Sequence, residues 1–135
     1  MPDYLGKNGT KGYTESIVLP LSDETSDLET GDAVYSFFLP YNLTVDKIYA
    51  SLNTQCAGSS VIVDIKRSGM SIFDTQKIEV PTNSDMNTVQ PDYSTGLYFP
   101  QFSKIVFNID QVGSTTAGQG LKVMLIGHRT VDTEF

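Results

Sequence analysis

VFNIDQVGSTTAGQGLKVMLIGH, residues 106–128, sets Gly113, Gly118 and Gly120 between two strongly apolar segments. The interval from Gly113 to Gly118 is that of a phosphate-binding loop, which continues Gly-Lys-Ser/Thr and opens a helix after a strand. Here Gln119 and Gly120 stand where the lysine and the hydroxyl residue belong. LKVMLIGH, which follows, alternates like a strand and offers no helix N-terminus to aim amides at a phosphate. The stretch therefore reads as strand, turn, strand, with glycines that permit positive φ and a tight reversal.

The same period of two runs outward along the chain. In AVYSFFL, Ala33, Tyr35, Phe37 and Leu39 share one face. In VDKIYASL, Asp46, Ile48, Ala50 and Leu52 alternate with Val45, Lys47, Tyr49 and Ser51. SVIVDIKR sets Val61, Val63 and Ile65 against Ile62, Asp64 and Lys66, and KIVFNI sets Ile105, Phe107 and Ile109 against Lys104, Val106 and Asn108. One apolar and one wetter face is the pattern of antiparallel sheets. Weaker strands are expected at 15–21, 71–75, 76–80 and 121–128, with a tight hairpin at Ser68-Gly69. No stretch has helical spacing with a capping signal, and DETSDLETGD has room for one helical turn at most. The expected fold is all-β: an antiparallel, jelly-roll-like β-sandwich of about eight strands. An extended N-terminal arm over 1–14 precedes the sandwich at 15–128, and a C-terminal tail covers 129–135.

Two segments break the strand rhythm. MPDYLGKNGTKGYT holds three glycines and the Asn8-Gly9 turn pair. The other runs from Pro81 to Gln101, punctuated by prolines and ending in the large side chains Tyr93, Leu97, Tyr98 and Phe99. A long loop in a small domain is usually functional, and aromatic side chains bury large areas with few rotamers to fix. Tyr4, Leu5, Tyr13, Tyr93, Leu97, Tyr98 and Phe99 are thus candidate protein-interaction residues, although the late aromatics could equally cover a sandwich edge.

Composition narrows the chemistry. A chain of 135 residues with 39% hydrophobic and 19% charged residues has the make-up of one globular domain. Its net charge of −7, with nine scattered basic residues, excludes a nucleic-acid footprint. No apolar run is long enough to span a bilayer, and the first residues lack the apolar core of a secretion signal, so no membrane partner is expected. The acids between Asp23 and Asp32 lack the alternation of a calcium loop, and no His/Cys cluster suits zinc. Cys56 has no partner for an internal disulfide, and a nucleophile pair would have to be Cys56 with His128, the single histidine. Asp64 and Asp110 follow apolar runs and could face each other as a carboxylate pair. No Gly-x-Ser-x-Gly elbow is present. The expectation is no catalytic residues, no cofactor and no metal.

Three stretches carry a resemblance: GDAVYSFFLPYNLTVDKIYASLNT (31–54), VIVDIKRSGMSIF (61–73) and FNIDQVGSTTAGQGLKVMLIG (107–127). In order, they resemble a β-sandwich domain of tailed-bacteriophage structural proteins. The shared elements are the corner at Leu39-Pro40, the strand Ile48 to Leu52, the hairpin Val63 to Ile72 and the closing pair Ile109 to Gly127. They span roughly residues 20–128. The resemblance implies a virion structural protein. With no heptads for a trimeric stalk, the favoured expectation is a capsid decoration, or cement, protein on the capsid surface. Its partners would be the major capsid protein and copies of itself, bound through many weak contacts that gain strength together. The alternatives are a tail or tail-fibre receptor-binding component, or a carbohydrate-binding sandwich using Tyr93, Tyr98 and Phe99 as a stacking platform.

Overall fold

A computed structural model describes residues 13–93 and 97–129. Within them the chain is all-β, in nine strands: β1 (Tyr13–Pro20), β2 (Gly31–Phe38), β3 (Leu43–Ser51), β4 (Val61–Arg67), β5 (Met70–Ser71), β6 (Ile78–Val80), β7 (Leu97–Phe99), β8 (Lys104–Gln111) and β9 (Lys122–Arg129). One sheet has the order β1-β9-β3-β7 and the other β2-β8-β4-β5, with β6 also pairing β4. Every pairing is antiparallel. With β5 and β6 taken as one interrupted strand, the chain passes back and forth between two four-stranded sheets, which is the jelly-roll order.

The expected inner faces form the core. Val61, Val63 and Ile65 of β4, Ile105 and Phe107 of β8 and Val123 and Leu125 of β9 are all fully buried in one core. Phe37 stacks on Phe107, with ring centroids 6.2 Å apart. Each fully enclosed Leu, Ile or Phe contributes about 1.5–3 kcal/mol relative to exposure. Ser68 and Gly69 turn the β4–β5 hairpin with φ of 56° and 79°, the doubly left-handed turn that suits strand twist.

The register shifts at three pairings, in β4 with β8 between Ile62 and Val63, in β3 with β9 and in β2 with β8, and the last two change which side chains face inward. In β3 the register with β9 shifts between Val45 and Lys47, so Leu43 and Val45 are buried before the shift and Ile48 and Ala50 after it. Asp46 therefore faces solvent, not the core side on which a single period places it. Gly127 lies opposite Val45, and a Cβ there would collide with the Thr44 carbonyl oxygen, so the bulge depends on this glycine. In β2 the register shifts between Gly31 and Tyr35, and Ala33 adopts φ 52° and is exposed. Asn108 holds that bulge by accepting a 2.7 Å hydrogen bond from the Ala33 amide.

Three boundaries also differ. The strand expected over 71–75 is only Met70–Ser71, β7 lies inside the long loop, and Tyr13, Thr14 and Arg129 belong to strands, the rest of the expected arm and tail lying outside the described residues. The loop's first half lies along β3 as a substitute strand. Leu52 N donates to Asp85 O, Asn87 N to Ala50 O, Ala50 N to Asn87 Oδ1 and Ile48 N to Gln90 Oε1, all at 2.8–3.2 Å. β3 thus has hydrogen-bonding partners on both sides.

Candidate functional site

The glycine loop is a packed turn. Thr115 N and Thr116 N donate to Ala57 O, Gln119 N to Thr54 O and Gly113 N to Ala117 O. These amides are spent on protein carbonyls and do not converge on an anion. Gly118 and Gly120 have φ of 100° and 68°, as the tight reversal requires.

Cys56 sits beside this loop, fully buried, with Sγ 3.7 Å from the carbonyl oxygens of Val80 and Pro81. His128 lies at the far end of β9, where Nδ1 is 3.2 Å from Asp46 Oδ2. The two residues are separated by the length of a strand, so they form no nucleophile pair. Asp64 and Asp110 do come together, and Lys77 spans them: Nζ is 2.7 Å from Asp110 Oδ2 and 3.4 Å from Asp64 Oδ2. Ser71 Oγ donates to Asp64 Oδ1 at 2.6 Å and accepts from Phe73 N at 3.1 Å. The hydrogen bond to Asp110 is the main cause raising the Lys77 ammonium above its ordinary value, which keeps it charged. The cluster holds the 70–80 segment against β4, because a buried carboxylate is tolerated only when paired and hydrogen-bonded. Among the described residues no three His, Cys, Asp or Glu side chains are grouped to hold a metal ion.

Tyr4 and Leu5 lie outside the described residues. Tyr13 pairs with Arg129 as the first residue of β1. Tyr93 is half-buried: its hydroxyl donates to Asp46 O at 2.7 Å and its ring meets Phe73 edge-on. Burial is the main cause raising the Tyr93 phenol above its ordinary value, and Asp46 adds to it. Leu97 packs against the core, and Phe99 is fully buried with the Arg67 guanidinium 5.3 Å from its ring centroid. Tyr98 alone among these late aromatics is well exposed. Adjacent residues of a strand point to opposite faces, so Tyr98 and Phe99 cannot share a stacking platform, and the Phe99 ring is enclosed in the core.

The exposed aromatic surface is elsewhere. Strand direction sorts the loops into two ends. One end gathers 21–30, 52–60 and 112–121, joined by Leu28 N donating to Gly118 O and Asn53 N to Gln119 O. It carries Asp23, Glu24, Asp27 and Glu29, with Lys122 paired to Glu24. Asp23 is held below its ordinary pKa, chiefly by the Ser26 amide. The opposite end gathers the turns 39–42, 68–69 and 100–103. There Phe38 is 62% exposed, Phe102 68% and Met70 73%. Lys104 pairs with Phe38 across β2 and β8 and places Nζ 5.9 Å from the ring centroid. An open groove of about 330 Å³, lined by Arg67, Met70, Ile72 and Leu97, lies at the same end.

Phe102 combines exposure with strain. It is the third residue of a turn closed by Ser103 N donating to Pro100 O, and its φ is 67°. Glycine or asparagine is the usual occupant of such a position, and a bulky residue there is an outlier. The turn is fixed by Phe102 N donating to Leu39 O at 2.7 Å and Gln101 N donating to Asn42 Oδ1 at 2.7 Å. Neither Phe38 nor Phe102 figured among the sequence candidates. Phe38 was legible, since consecutive aromatics in an alternating strand put one ring outside. Phe102 carries no such signal.

No family model matches the chain, and neither the curated proteins nor the solved structures contain a match to it.

Proposed function

We propose that the protein is a docking module of a bacteriophage virion, a decoration protein that seats on the capsid surface against the major capsid protein and neighbouring copies of itself. The observation that carries this reading is the polarised sandwich. One end presents Phe38 and Phe102 beside Lys104 on a turn that tolerates strain to display a ring, and the other end is acidic. Strained, over-determined backbone clusters where a fold does work, and aromatic residues and methionine, here Phe38, Phe102 and Met70, are enriched at contact centres. Jelly rolls build viral shells as well as lectins, so the fold is compatible with this role without specifying it. The resemblance of 31–54, 61–73 and 107–127 to phage sandwich domains favours the virion.

Cryo-electron microscopy of particles from the organism encoding the chain tests the reading. Regular copies over the shell faces, lost in particles made with Phe38→Ser and Phe102→Ser, are expected. Density at the tail alone, or a particle without the chain, would refute capsid decoration. Both substitutions are at exposed positions, so the purified variants should keep the wild-type circular-dichroism spectrum.

A further inference from the structure

We infer that β1 is a self-pairing edge, through which two copies join into one continuous sheet about a two-fold axis. This deepens the self-association in the reading above but rests on the sheet edge alone.

The other strand edges are blunted in identifiable ways. β2 is broken by its bulge, with Ala33 N tied to Asn108. β3 is covered by Asp85, Asn87 and Gln90, and Tyr98 O of β7 accepts a hydrogen bond from Arg67 Nη1. β5 and β6 are two and three residues long. Among the described residues β1 has no bulge, cover or shortening. Its one charge, Glu15, lies on the inner side with a carboxylate oxygen 3.7 Å from Arg129 Nε of β9, and Pro20 stands at its end. The strand pairs with β9 without a shift from Tyr13↔Arg129 to Pro20↔Lys122, and among the described residues no strand lies on its other side. A long, regular, unpaired edge is a template for another strand, and natural proteins protect such edges with charge, bulges or cover unless they use them.

Charge points to a second copy. The outward side chains Thr14, Ser16 and Val18 are uncharged, and Val18 is 54% exposed. Antiparallel pairing that keeps inner and outer faces aligned can centre on Ser16 or on Ile17. Centred on Ser16, it sets Thr14 opposite the partner's Val18 and opposes no charges on the outer face. Antiparallel pairing also reverses the second sandwich. The acidic Asp23–Asp32 end of each copy then lies beside the opposite end of the other, which carries Lys104 and Arg129, the latter 3.7 Å from its own Glu15. A parallel arrangement would instead set acidic end beside acidic end in a chain of net charge −7.

Sedimentation equilibrium of the purified chain separates this contact from docking on a shell, because no shell is present. The expected result is a monomer–dimer equilibrium populated by about 100 µM, where a weak interface shows. It should weaken as salt rises. Ser16→Lys with Val18→Lys should weaken it by about tenfold or more through like charges across the new pair. Thr14→Lys serves as a second exposed variant should that pair fold poorly. A monomer at that concentration would overturn the inference, as would association unchanged in the lysine variants. Association lost on Phe38→Ser with Phe102→Ser would also overturn it, by moving the contact to the aromatic end. A monomer with slowly exchanging amides throughout β1 would overturn it too, since the chain's own residues would then cover the edge.

Discussion

Replacing Asn87 with alanine tests whether the long segment after Pro81 is an integral edge of the sandwich. The Asn87 side chain does the work of a strand: Oδ1 accepts from Ala50 N at 2.8 Å, while Nδ2 donates to Ile48 O at 3.3 Å and to Val89 O at 3.1 Å. Ile48 is fully buried, Ala50 nearly so, and Asn87 itself is 6% exposed. Water cannot readily replace the lost partner there. A buried group left unsatisfied costs about 1–3 kcal/mol, and two such groups, the Ala50 amide and the Ile48 carbonyl, bring the expected loss to about 3 kcal/mol. For a domain of this size that lowers Tm by about 10 °C. Urea unfolding followed by circular dichroism measures the loss, and the slope should stay constant because the fold is unchanged. Hydrogen exchange at Ala50 should accelerate, whereas exchange at Val123, in β9 between β1 and β3, should slow or quicken only with global stability. Asn87→Asp supplies an internal control. It keeps the acceptor for Ala50 but turns an oxygen toward the carbonyls of Ile48 and Val89, so Ala50 stays protected while stability still falls. A loss below about 0.5 kcal/mol for Asn87→Ala, the range of ordinary surface substitutions, with Ala50 exchange unchanged, would refute the edge-strand account.

Gly127→Ala should cost about 3 kcal/mol or more, because the added Cβ meets the Thr44 carbonyl between two paired strands that cannot separate; wild-type stability in a urea titration would show that the bulge can relax. Alkaline pH should destabilise the fold. Lys77, chiefly through its hydrogen bond to Asp110, and Tyr41 and Tyr93, chiefly through burial, all hold their protons above the ordinary 10.5 and 10.0. The stability each contributes is complete below those ordinary values and is lost as pH rises through the higher folded ones. The urea midpoint should therefore fall above about pH 10, less steeply for Tyr93→Phe, and a midpoint that rises there would contradict these environments.

Most of the sandwich was legible because burial on one face imposes a period of two, and in SVIVDIKR and KIVFNI the residues Val61, Val63, Ile65, Ile105, Phe107 and Ile109 take the buried positions. The register inside β3 was not. Asp46 and Lys47 form a bulge, and nothing in VDKIYASL marks where the alternation slips; the cause sits some eighty residues away, at Gly127. The short strand Leu97–Phe99 was hidden for a related reason. Its place in the sheet comes from pairing with Leu43, Thr44 and Val45, not from local propensity. Sequence patterns report which face is buried, while long-range pairing decides where the faces change.

The same distinction explains why the aromatic candidates shifted. Tyr93, Leu97 and Phe99 were chosen for size and for lying in a long loop, yet size is also what a sandwich edge needs to close over its core, and Tyr93 and Phe99 serve that purpose through Asp46 and Arg67. An exposed ring differs from a covering ring only in what the backbone beneath it must endure. At Phe102 the chain accepts a left-handed conformation, worth about 1–2 kcal/mol, and keeps a phenyl group in water where glycine would serve the turn. A residue that adds little to the core and strains its own turn is explained most simply by something outside the fold that it touches. On the reading proposed above, a partner would be sought at the turn 100–103, not at the glycine loop, whose amides the fold has already used.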